Sequence, residues 1–279
     1  MQVKSPTQSF VKIFSLLSDN NVYSAAEEIK QNNLDRGEIS TLKHLALSMI
    51  PRWISEQDVY RIQTLVPILK ISNQELFQFQ PDVIAVLPKW LKEGEIDRMG
   101  IAMDLFDVPQ KFRSKLGLIA KESMTQGWLN SGFILRSRKA SVELNVEAEV
   151  KAQAIATIPH WLKQTDDIFY ISQAVLDFGI DKKALAPFRQ QIIDEKIPYW
   201  LNELEARLPD SSKETGVGRV ISAVRTFDLQ ESEYKHHVIK RLPEWIKKNQ
   251  KLRISDAVEH LGITQRELLD ASAISSRLN

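Results

Sequence analysis

Six tryptophans recur within one short motif, and that recurrence restricts the chain to a repeated architecture. Pro51-Arg-Trp53-Ile, Pro88-Lys-Trp90-Leu, Pro159-His-Trp161-Leu, Pro198-Tyr-Trp200-Leu and Pro243-Glu-Trp245-Ile share a proline, a tryptophan and a following aliphatic residue. Gln126-Gly-Trp128-Leu keeps the tryptophan and lacks the proline. The copies lie roughly 33 to 45 residues apart, the spacing of helical-hairpin repeats. Stacked hairpins present a long surface, suited to holding another molecule more than to enclosing a substrate.

A longer register surrounds each motif. A small or aliphatic residue recurs at Leu65, Ala102, Ala140, Ala174, Ala223 and Ala257. Three residues earlier stand Ile62, Met99, Ser137, Ile171, Val220 and Ile254; four later stand Leu69, Phe106, Leu144, Phe178, Phe227 and Leu261. These offsets mark one face of a helix. Two residues further on, Ile71, Val108, Val146, Ile180, Leu229 and Ile263 close the segment. Helix-start signals follow: Ser72 with Glu75 and Thr264 with Glu267 have capping-box spacing, and Asp35 and Asp181 can cap with a carboxylate. A second helix then runs into the next Pro-x-Trp. There the proline, which lacks an N–H and clashes with the carbonyl four residues back, is expected to end or kink it. The expectation is an all-α, right-handed solenoid of about seven helix-turn-helix repeats with a recurring Pro-x-Trp corner.

One array is expected over residues 1–279, with an N-terminal capping unit at 1–50, central repeats over 51–242 and a C-terminal capping unit at 243–279. The central part reads as irregular near 126–150, where the proline is lost. A Pro/Gly-bearing insertion at 204–218 reads as a surface loop and a candidate contact site. The chain has 37 basic and 36 acidic residues, a formal net charge of +1, and no cysteine. Disulfide frameworks, thiolate nucleophiles and cysteine zinc sites are therefore excluded. No apolar run is long enough to span a bilayer, and Lys12 interrupts the amphipathic N-terminal segment, so a soluble cytoplasmic protein is expected.

Trp53, Trp90, Trp128, Trp161, Trp200 and Trp245 read as buried wedges between repeats, because apolar residues flank each one and a base-stacking ladder would not need the proline. A second column is more suggestive of function. Four residues before the central position stand Arg61, Arg98, Arg136, Tyr170, Arg219 and Arg253. Guanidinium groups at repeat spacing suit phosphates or an acidic partner. Local pairing is the other reading, since Asp58 and Glu95 lie three residues before Arg61 and Arg98. Lys247, Lys248 and Lys251, in a basic stretch beginning at Lys240, add candidate contacts, as does Arg136-Ser-Arg138-Lys139. The segment around Leu261-Gly262-Ile263-Thr264 is similar to a DNA-reading helix-turn-helix, but Phe178-Gly179-Ile180-Asp181 has the same form inside an earlier repeat.

Signals for catalysis are poor. The histidines His44, His160, His236, His237 and His260 form no metal-ligand spacing, and adjacent His236 and His237 are expected to point to different sides of a helix. Gly216-Val-Gly218 lacks the remainder of a dinucleotide or phosphate loop and reads as part of a loop. No metal, cofactor or catalytic residue is expected, and no enzyme.

Pro243-Glu244-Trp245 resembles the Pro-Glu-Trp element of octotricopeptide repeats. Phe178-Gly179-Ile180 and Leu261-Gly262-Ile263 resemble the aliphatic-Gly-Ile turn of mitochondrial termination-factor repeats. Either resemblance would cover most of the chain from about residue 20 and implies nucleic-acid binding along a concave face. From its near-neutral charge the chain reads first as an adaptor or scaffold that grips another protein. Binding of RNA or DNA through the arginine column is the alternative.

Overall fold

The computed structural model describes residues 7–164, 167–202 and 216–277. Among them the chain is all-helical, without a strand. The expected insertion at 204–218 lies outside the described residues up to 215. No helix among the described residues is long and apolar enough to cross a membrane.

The chain divides into two compact units. Unit 1 holds the described residues of Met1–Thr125 and Arg136–Glu147; unit 2 holds those of Gln126–Leu135 and Ala148–Asn279. The exchange falls in the stretch near 126–150 where the sequence motif degenerates.

In unit 1 the helices run α1 (Gln8–Ser18), α2 (Val22–Gln31), α3 (Arg36–Ser55), α4 (Val59–Ile68), α5 (Asn73–Phe77), α6 (Gln80–Glu93), α7 (Ile96–Leu105) and α8 (Gln110–Ser123). Short α9 (Thr125–Asn130) and then α10 (Ile134–Glu143) follow at the exchange. First helices pack in one row, α2 on α4 and α4 on α7; second helices pack in another, α1 on α3, α3 on α6 and α6 on α8. Unit 2 continues with α11 (Glu147–Trp161), α12 (Asp167–Phe178), α13 (Lys182–Gln191), a π-helical turn (Ile192–Lys196), α14 (Ile197–Asn202), α15 (Gly216–Phe227), α16 (Glu231–Lys247), α17 (Lys251–His260) and α18 (Gln265–Arg277). Its rows are α12–α15–α17 and α14–α16–α18.

The apolar register explains this packing. Leu65, Ala102, Ala140, Ala174, Ala223 and Ala257 are all wholly buried, and the residues four positions later are buried with them. A methyl at the centre of a first helix lets its neighbours approach closely, while the larger residues on either side fill the space between rows. Second helices start where the capping signals stand. Ser72 accepts from the Glu75 N–H and Glu75 returns the bond; Asp35 and Glu38 do the same, and Asp181 accepts from the Ala184 N–H. Thr264 and Glu267 form the same reciprocal pair.

The prolines do not end their helices, the first of the two expected outcomes. Pro51, Pro88, Pro159 and Pro243 lie inside α3, α6, α11 and α16, which continue past them. Each stands in the last turns of its helix, where a single lost N–H donor is tolerated because the buried tryptophan two residues on anchors the end. At Pro198 the π turn intervenes instead. The Ile197 N–H bonds the Ile192 carbonyl five residues back, widening the helix just before the ring.

The corner itself comes four residues after the tryptophan. Gln57, Gly94, Gly132 and Asn249 are left-handed, at φ of 61°, 80°, 76° and 55°. The following N–H of Asp58, Glu95, Phe133 or Gln250 bonds the tryptophan carbonyl at 2.8–2.9 Å. This is the Schellman closure, which satisfies carbonyls that a helix end leaves open. First helices end the same way. Lys70, Asp107, Asn145, Gly179, Asp228 and Gly262 are left-handed, and in the first five the aliphatic residue after them donates its N–H to the carbonyl five back. The closing aliphatic column is thus the hydrophobic partner of a helix cap. Gly216-Val-Gly218, expected in a loop, opens α15.

Candidate protein-docking face

Five tryptophans are buried in the core. Trp53, Trp90, Trp161, Trp200 and Trp245 are at most 2% exposed, and only Trp128, the copy without a proline, is half-buried. The Trp53 Nε1–H donates to Asn20 Oδ1 at 2.7 Å and the Trp161 Nε1–H to the Leu129 carbonyl at 2.8 Å. None of these five rings is available for stacking on a ligand.

The arginine column is likewise engaged within the fold. Arg61 Nε lies 2.9 Å from Asp58 Oδ2, and Arg98 Nη1 2.8 Å from Glu95 Oε2, the local pairs anticipated from spacing. Arg136 lies over the left-handed corner at Gly94, so close that a Cβ added there would stand 2.6 Å from its Cζ. Tyr170, the exception in the column, covers the corner at Gly132 in the same manner, 2.3 Å from an added Cβ. Arg136 and Tyr170 thus each rest on an earlier left-handed corner, one with a guanidinium and the other with a phenol. Arg219 is half-buried, and Arg253 is 3% exposed with its Cζ 5.9 Å from the centre of the Trp245 ring. Lys247, Lys248 and Lys251 are exposed, Lys248 paired with Glu244 at 2.7 Å.

A different column faces outward. One residue before the arginine position, unit 1 exposes Tyr60 on α4, with Tyr23 in the matching place on α2, and unit 2 exposes Leu135, Phe169 and Leu252; Asp97 on α7 and Gly218 on α15 interrupt the column. Their exposures run from 38% to 72%. Single exposed apolar residues are ordinary on protein surfaces. Recurrence at one register position is not, and packing does not require it. The position lies about 140° round the helix from the buried centre, so the signal was present in the sequence. It was missed because an apolar residue among core positions reads as core.

Unit 1 also holds a cleft of about 520 Å³ between α4 and α7. Gly100 opens its floor, and the Glu143 carboxylate comes so near that a Cβ on Gly100 would stand 2.6 Å from Oε2. Burial, with repulsion from Asp104 and Asp97 against a smaller pull from Arg113, raises the Glu143 pKa above the ordinary carboxylate value. A carboxyl whose folded pKa is raised stabilises the fold while protonated and loses that contribution as pH rises through the folded value. Glu143→Gln is therefore expected to melt slightly above wild type at pH 7. The gap should close toward pH 4, as thermal unfolding at the two pH values would show.

Among the described residues no group of His, Asp and Glu side chains is arranged to hold a metal ion. His236 and His237 do not diverge as expected. Their ring centroids are 3.8 Å apart, because side chains lean along the helix and adjacent rings can meet over the same turn. No known protein family, curated protein or solved structure matches the chain.

Proposed function

We propose that the chain is a helical-repeat solenoid acting as a non-enzymatic cytoplasmic adaptor, docking another protein on the exposed face of its first helices. The carrying observation is the outward apolar column, Tyr23 and Tyr60 in unit 1 and Leu135, Phe169 and Leu252 in unit 2. Aromatic and aliphatic side chains standing at one register position on rigid helices are what a partner helix or extended segment buries first. The two rows of helices in each unit support the solenoid reading. The arginine column supports protein over nucleic acid as the partner, since its members pair with carboxylates, cover corners or lie buried. A phosphate-binding row needs its guanidinium groups outward.

A photo-crosslinking amino acid placed at Tyr60 or Phe169 tests the reading in the cell of origin. A discrete protein adduct is expected at each position, insensitive to nuclease, and none at Lys111, which is exposed on second helix α8. Adducts to nucleic acid, or equal yield at Lys111, would replace it with the alternative partner or with no docking face.

A further inference from the structure

The cleft between α4 and α7 carries charge as well as apolar walls, and its charges do not balance. Val66, Leu76, Ile101 and Leu105 form the apolar part. Asp97 is held by Lys139 at 2.7 Å and Asp104 by Arg113 at 2.9 Å. Glu143, between them, has no hydrogen bond or ion pair among the described residues. One carboxylate is thus left over beside two others, exposed at the rim of the cleft in the space that the missing Gly100 side chain leaves.

We infer that this cleft receives one lysine or arginine side chain of a docked protein segment. A basic side chain matches both parts of the site. Its aliphatic stem suits the apolar walls and its charged head reaches the rim, as long cationic side chains do elsewhere. One cation neutralises the single excess carboxylate and relieves its repulsion with Asp97 and Asp104. A free amine would leave most of so open a cleft uncovered. A protein segment also gains the exposed Tyr60 ring, one helical turn before Gln63 on the cleft wall. The inference rests on the docking reading and specifies the chemistry of the partner in unit 1.

Panning a random dodecapeptide library on the immobilised full chain tests it. Peptides retained by wild type and lost on Tyr60→Glu are expected to carry a Lys or Arg beside large apolar residues. Such a peptide should bind Glu143→Gln about tenfold more weakly. Its norleucine analogue should lose a similar factor on wild type and nothing more on Glu143→Gln, because the two changes remove the same contact. Glu143→Gln preserves size and removes a repelled charge, so it is expected to fold, and circular dichroism checks that. Selected peptides without a basic residue, or with affinity unchanged by Glu143→Gln, overturn this inference and leave the docking reading intact. If no peptide distinguishes wild type from Tyr60→Glu or Phe169→Glu, the docking reading falls and this inference with it.

Discussion

Trp161→Ala is expected to destabilise unit 2 by about 3–5 kcal/mol, and Trp128→Ala by less than half as much. Trp161 is wholly buried at the end of α11, and its Nε1–H reaches the Leu129 carbonyl at 2.8 Å. That carbonyl also accepts the Gly132 N–H at 3.0 Å. Truncation therefore leaves it partnered, and most of the cost is the cavity and the lost apolar burial. Trp161→Phe refills part of the space and should cost about 1–2 kcal/mol. Trp128 is half-buried, so less of its surface leaves water on folding and less stabilisation is lost with it. Urea unfolding followed by far-ultraviolet circular dichroism measures the series. Equal losses at 128 and 161 would mean that burial does not set the energetic weight of the motif.

The buried half of this architecture was legible because it obeys a period. Side chains three and four apart must share a helix face, so the columns around Ala102 or Ala223 could be read directly as core. Capping boxes were legible for a similar reason: Ser72 and Glu75 satisfy orphan N–H groups only at that spacing. The corners were not. Left-handed backbone advertises itself as glycine, yet Gln57, Lys70, Asp107, Asn145, Asp228 and Asn249 adopt it with a side chain present. Six of these turns are thus hidden from a search for helix-ending glycines, and the proline, the visible breaker, drew the boundary too early. The helix survives Pro51 because the Schellman bonds beyond Trp53 and the buried ring outweigh one missing donor. The candidate site was half visible. The arginine column was found by spacing, but spacing does not say whether a guanidinium faces water or the preceding corner. Only the placement of Arg136 over Gly94 and of Arg253 against Trp245 distinguishes these. The division into two units has no clear signature beyond the lost proline before Trp128.

Gly132→Ala is expected to cost about 2–4 kcal/mol, against about 1 kcal/mol for Gly179→Ala, although both residues are left-handed. At Gly179, with φ of 58°, nothing lies within 4 Å of an added Cβ, so the backbone preference is the whole penalty. Gly179→Asn should be closer to neutral, since asparagine already serves at the matching corner of Asn145. At Gly132, with φ of 76°, the added Cβ would stand 2.3 Å from Tyr170 Cε1. The ring has little freedom to withdraw, because it contacts Trp161 at 6.3 Å and Phe169 at 6.0 Å between centroids. Overpacking is therefore added to conformational strain. The two sources separate in a double-mutant cycle. Tyr170→Ala should remove the overlap and leave the strain, so Gly132→Ala should cost about 1 kcal/mol in that background. At Gly94 the covering group is Arg136, whose long flexible stem can shift where a phenol cannot, and Gly94→Ala should fall between the other two. An order of Gly132, Gly94, Gly179 ties the residue on each corner to the planar side chain resting on it. Additive losses at Gly132 and Tyr170 would break that tie and return the arginine column to an outward role.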